Sequence, residues 1–173
     1  MHSVPFHDGN TTHTPPYAEL LEALRAAYPD KPLVLGGVAI EEATYHADAN
    51  SDGDVVLHAL TNAVSGLTCR NILGEVADKM CREGITDSSR YLKVALDDLA
   101  ARNMRLVHIS FTVECRSPKL AGYIESMRQS IAGMCPGMST DHVGITATSG
   151  EGLTSFGRGE GISVFCVITA EVD

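Results

Sequence analysis

Asp48, Asp52, Asp54 and His58 gather around a single glycine, Gly53, in the stretch NSDGDVVLHALTNA and the residues just before it. Asp54 and His58 are four apart, so on a helix they share one face. The first turn of a helix offers unpaired N–H groups and the positive end of the dipole, and carboxylates with an imidazole are donors for divalent cations. The segment can therefore build a metal or phosphate site. Acidic N-capping beside a surface histidine accounts for the same residues, and both readings stay open at this point.

Two further stretches carry chemistry. ATSGEGLTSFGRGEG, residues 147–161, has glycines at 150, 152, 157, 159 and 161, which allow positive φ and close backbone approach around an anion; a tight β-hairpin is the alternative. Arg116-Ser117-Pro118-Lys119 places two cations at the start of a helix, where plain capping is the alternative.

The elements that must position these residues follow from periodicity. Tyr17, Leu20, Leu21, Leu24 and Tyr28 make one apolar stripe, which predicts a helix over 17–28. A short strand over 33–35 is broken by Gly36-Gly37. A helix over 54–67, capped by Ser51 or Asp52, carries Val56, Ala59, Leu60, Ala63, Val64 and Leu67 inward, with His58, Thr61, Asn62 and Ser65 opposite. A helix over 89–103 points Leu92, Ala95, Leu96 and Leu99 inward. The strand over 105–114 puts Val107, Ile109, Phe111 and Val113 on one face and His108, Ser110, Thr112 and Glu114 on the other, against solvent or a subunit. Ser117-Pro118 opens a helix with Leu120, Ile124, Met127 and Ile131 inward, and strands over 142–148 and 162–171 close the chain. This alternation predicts one domain over 1–173, an α/β (α+β) layer fold with one mixed sheet covered by helices on one face.

Composition narrows the function. At 173 residues, 44% hydrophobic and 20% charged, the chain can bury a core without metal or disulfide staples. A net charge of -9 disfavours nucleic-acid binding, which needs a basic face, but leaves room for small phosphorylated ligands. Five scattered cysteines with no CxxC pair suggest reduced thiols. The start MHSVPFHDGN has neither a basic nor an apolar leader region, and no apolar run nears ~20 residues, so a cytoplasmic setting away from membranes is expected.

Together the three stretches, in this order, resemble the 2-C-methyl-D-erythritol 2,4-cyclodiphosphate synthase family. SDGDVVLHALTNA is similar to its HSDGD-x-x-x-HALTDA, SPK to its APK loop, ATSGEGLTSFGRGEG to its ATTTE-x-LGFTGRGEG, and LGGVAI to its GGV strand. The resemblance implies a homotrimer with active sites between subunits. It also implies a zinc ion and a second divalent metal (Mg or Mn) on the phosphates of a CDP-linked methylerythritol 2-phosphate. The 2-phosphate attacks the β-phosphate and CMP is released. Carried over residue by residue, His58 with Asp8 corresponds to the zinc ligands and Glu151 to the ligand of the second metal. Glu151, Lys119 and Asn50 stand at catalytic positions. Ser51, Asp54, Ser117, Pro118, Lys119, Thr148, Ser149 and Gly150 stand at substrate or nucleotide positions, and Arg158 and Glu160 at the mouth of the trimer channel.

The departures from the family pattern fall on the same site. The family's FDVH reads Phe6-His7-Asp8-Gly9-Asn10, Asn50 stands for the His of HSDGD, Asn62 for the Asp of ALTDA, and Gly150 for the third Thr of TTTE. GDIG reads Asn71-Ile72-Leu73-Gly74, HFPD reads Val76-Ala77-Asp78-Lys79, and the helix over 17–28 is an insertion. These changes also fit a second reading, a non-catalytic or repurposed trimer that binds a phosphorylated or nucleotide ligand.

Overall fold

The structure, a computed structural model, describes residues 31–172 together with the backbone of a short antiparallel pair, β1 (His7–Asp8) and β2 (Thr11–Thr12). The helix expected over 17–28 and the side chain of Asp8 lie outside the described residues. Met1–Lys31 and Pro32–Asp173 form two compact units, and all remaining elements belong to the second.

Gly36 and Gly37 make a hairpin between β3 (Val34–Leu35) and β4 (Val38–Ala39), where a simple strand end was expected. Both have positive φ, 59° and 76°, the pairing a two-residue turn between twisted strands demands. The turn also lies against a helix: a Cβ at Gly37 would come within 2.6 Å of the Ser130 Oγ.

Helix α1 (Val55–Thr68) is followed by α2 (Glu75–Arg82), α3 (Ser88–Ala100), strand β5 (Met104–Glu114), helix α4 (Ile124–Met134), and strands β6 (Val143–Thr148) and β7 (Ser163–Val172). The sheet order is β6-β5-β7, with β6 parallel and β7 antiparallel to β5. The chain between β6 and β7 therefore crosses the end of β5 and is not a hairpin. Helix α1 packs on β7 and α3, and α4 packs on β6. Arg128 on α4 donates from Nε to the Val143 carbonyl at 2.7 Å, fixing that helix to the start of β6.

Two buried arcs differ from their expected registers. On α1, Thr61, Ser65 and Thr68 are buried along with Val56, Leu57, Leu60 and Val64, while Leu67 is exposed. The helix lies between the sheet and α3, so its buried arc is wide and rotated toward residues that look polar. The Thr61 hydroxyl is satisfied by donating to the Leu57 carbonyl at 2.8 Å. On β5 a bulge between Leu106 and His108 shifts the alternation, so Leu106 is buried in place of Val107 while Ile109, Phe111 and Val113 keep their side.

Ser117-Pro118 does not open a helix. Helix α4 begins at Ile124 after Tyr123, and residues 115–119 form a loop at the end of β5. Helix α2 was not expected, because eight residues with only one fully buried side chain, Ala77, give little apolar period to read. Its charges did carry a signal: Glu75 and Asp78 lie in the first turn, Lys79 and Arg82 in the last, matching the helix dipole.

Candidate functional site

The α1 cap is Asp54, a few residues later than the expected Ser51 or Asp52. Its Oδ1 accepts from the N–H groups of Val56 at 3.0 Å, Leu57 at 2.9 Å and Gly36 at 2.9 Å, and its Oδ2 from Gly37 at 2.6 Å. One carboxylate thus satisfies two orphan donors of the helix and both donors of the hairpin turn. Burial pushes its pKa up, and the backbone donors of Leu57, Gly37 and Gly36 pull it back down. Asp54 is 1% exposed, so the residue expected at the ligand has its carboxylate spent on joining two elements.

Asp52 does related work one step out. Its carboxylate accepts from the Ser88 N–H at 3.0 Å and from the Ser88 hydroxyl, and its own N–H donates to the Thr86 carbonyl at 2.8 Å. The 47–54 loop is thereby clamped between the starts of α1 and α3. Beside it opens a cavity of about 300 Å³ whose wall includes Asp48, Asn50, Ser51, His58, Asp78 and Cys81. His58 sits one turn into α1 on the exposed face, as its spacing predicts, and Asn50 is exposed at the rim. Desolvation in this setting lowers the His58 pKa, which favours the neutral imidazole a metal needs.

A second group forms where β5 and β6 end side by side, with Glu114 opposite Thr148 in the parallel register. The 115–119 loop is held there by the Tyr45 hydroxyl, which donates to the Ser117 carbonyl, and by the Cys115 thiol, which donates to the same carbonyl at 3.0 Å. Pro118 is buried, while Ser117 and Lys119 are exposed. After β6, Gly150, Glu151 and Gly152 all take positive φ, 64°, 51° and 76°. The Glu151 carboxylate stands exposed at the tip, with Thr148 exposed and Ser149 half-buried at its base. Further on, Arg158 Nε donates to Glu160 at 2.8 Å, and Arg116 Nη1 reaches the Arg158 carbonyl at 3.5 Å.

The structure therefore collects Asn50, Ser51, Asp54 and His58 around one cavity, and Ser117, Pro118, Lys119, Thr148, Ser149, Gly150 and Glu151 at the sheet end. Arg158 and Glu160 lie beyond the latter. Asp78, Cys81 and Tyr91 on the cavity wall were not expected as site residues. Asp78 was visible in the sequence only as the remainder of a replaced motif; the unrecognised α2 is what brings it to the cavity.

The donor chemistry fits divalent cations at both groups. An imidazole on a cavity wall that also includes Asp48 and Asp78 is of the donor type zinc takes, and an exposed carboxylate at Glu151 is of the type a hard cation takes. Among the described residues no three His, Cys, Asp or Glu side chains converge as a complete metal cluster.

Comparison with known proteins places this architecture among cyclodiphosphate synthases. A structure titled as the CDP-bound form of 2C-methyl-D-erythritol-2,4-cyclodiphosphate synthase superposes with a TM-score of 0.71 at 26% identity, covering 82% of this chain and 91% of that one. The bifunctional IspDF from Campylobacter jejuni gives 0.75 at 30% identity, covering 83% of this chain and 39% of that larger one. In sequence, the model of the YgbB family matches residues 22–171. Relatives named 2-C-methyl-D-erythritol 2,4-cyclodiphosphate synthase from Chlamydia caviae and Chlamydia muridarum are each 49% identical over 140 residues. That span is 80% of this chain and 78% and 77% of theirs. The chain belongs to the YgbB family, the enzyme family of the 2-C-methyl-D-erythritol 2,4-cyclodiphosphate synthases.

Proposed function

We propose that the protein is itself a cyclodiphosphate synthase acting on a CDP-linked methylerythritol 2-phosphate. An oxygen of the 2-phosphate attacks the β-phosphorus, the bond from that phosphorus to the α-phosphate oxygen breaks, and CMP leaves as the cyclic diphosphate closes. The observation that carries this reading is His58 on the wall of a cavity at the α1 N-terminus, in a chain 49% identical over 140 residues to a named synthase.

The chemistry asks for position and charge neutralisation, because two phosphates that repel must meet. His58 would hold zinc and Glu151 a magnesium or manganese ion; when bound, such ions act as Lewis acids on phosphoryl oxygens. Ser51 and Asn50 present a hydroxyl and an amide at the cavity rim. Lys119 supplies a fixed cation beside the cytidine-side loop, and Ser117 and Pro118 shape that loop. The hydroxyls of Thr148 and Ser149 offer donors to the nucleotide phosphates, and the Gly150 N–H holds Thr148 in place by donating to its Oγ1 at 3.2 Å.

A homotrimer with shared sites is part of the proposal. Phe165 and Val167 project from the uncovered face of β7 at 71% and 69% exposure, beside Thr112 and Ser110 of β5. An apolar strip on an open sheet face suits burial against another copy. Arg158 and Glu160 would then ring the channel mouth. Among the described residues no helix is long and apolar enough to cross a membrane, which is compatible with a cytoplasmic enzyme.

The test is CMP release from the CDP-linked substrate with Zn and Mg present, alongside metal analysis. Turnover lost in H58A supports the synthase. No turnover above that control, with CDP still bound, would favour the non-catalytic ligand-binding trimer.

A further inference from the structure

Glu114 is the last residue of β5 and lies against the Glu151 loop. Its Oε1 accepts from the Thr154 hydroxyl, and the Thr154 Oγ1 in turn accepts from the Gly157 N–H at 2.9 Å. The carboxylate lies over Gly150, so that a Cβ built there would fall 2.7 Å from the Glu114 Cδ and inside contact with its Oε1. From the other side Gly157 backs onto the same turn, its Cβ position 3.0 Å from the Gly150 carbonyl oxygen. Glu151 is therefore presented by a turn of positive-φ residues held between a carboxylate and a glycine.

We propose that Glu114 is the positioning residue of the Glu151 turn, and that its carboxylate, lying over Gly150, adds a steric demand for glycine to the one that a φ of 64° already makes. The strand, through Thr154, supplies a fixing contact to the segment that carries Glu151. Ligand phosphate and cation meet the backbone of this turn, so its geometry sets their affinity. This inference rests on the proposed function for what binds there, but not for the coupling itself.

The experiment is a double-mutant cycle on the full-length protein with E114A, G150T and both together, plus E114Q. Urea-unfolding midpoints and the Kd for CDP with Mg would be read. G150T should lower the midpoint far more alone than in the E114A background, and E114A should weaken CDP about tenfold while E114Q, which keeps an acceptor, stays within about threefold of wild type. Additive midpoints would overturn the steric coupling. An E114A protein with unchanged CDP affinity would overturn the positioning role. A wild type that binds no CDP would sink the proposed function, with the midpoints still deciding whether Glu114 and Gly150 act as a pair.

Discussion

Asp54 shows how much of this molecule hangs on single side chains. Its four backbone partners belong to two elements, so D54A would leave buried N–H groups of α1 and the hairpin without an acceptor. The expected loss is about 2–4 kcal/mol of unfolding free energy, measured by urea denaturation. Asn at 54 should recover part of it by keeping one acceptor. H58A should behave oppositely: His58 is exposed, so the midpoint should hold while metal content and turnover fall. The thiols give a pH-dependent test. Burial pushes Cys135 and Cys166 up to about 12, so both stay protonated in the folded state far above the usual thiol range. At pH 8 a thiol with that pKa is ~0.01% thiolate, so iodoacetamide should label the exposed Cys69 while sparing Cys135 and Cys166 until the fold is opened by urea. Peptide mass spectrometry would read the order.

At the scale of elements, the Gly36-Gly37 turn, the α1 cap and α4 form one joint. Gly37 has a φ of 76° and no room for a Cβ beside Ser130, so G37A should cost about 1–3 kcal/mol by combined strain and displacement of α4. Chemical denaturation would measure it, and the same substitution at Gly84, whose added Cβ meets open space, should cost less. Helix α2 illustrates a different lesson. Its sequence looks like the ruin of a ligand-binding motif, yet it folds into an element that carries Asp78 to the His58 cavity.

For the whole molecule, the sheet has a helix-covered face and an open one. The open face alternates polar residues on β5 with Phe165 and Val167 on β7, and an isolated domain would leave that strip in water. F165E should shift the proposed trimer to monomer by native mass spectrometry. Turnover should fall with assembly, since the proposed sites lie between subunits. If F165E remains trimeric, this face is not the contact.

The amino-acid sequence by itself pointed to the family through three motifs in order, and to the alternation of elements and the exposed placement of His58 through local period and glycine spacing. It also placed Thr148, Ser149 and Glu151 together, since they are neighbours along the chain. Only the tertiary structure decided the rest. Asp54 could not be separated from a ligand-binding acid until the hairpin N–H groups were found on its carboxylate, Gly36 on Oδ1 and Gly37, 17 residues away in sequence, on Oδ2. The rotated buried arc of α1 and the bulge at Leu106 depend on what packs against each face, which periodicity cannot see. The Glu114 carboxylate lies over Gly150 from the end of β5, and no local reading of either residue could have paired them.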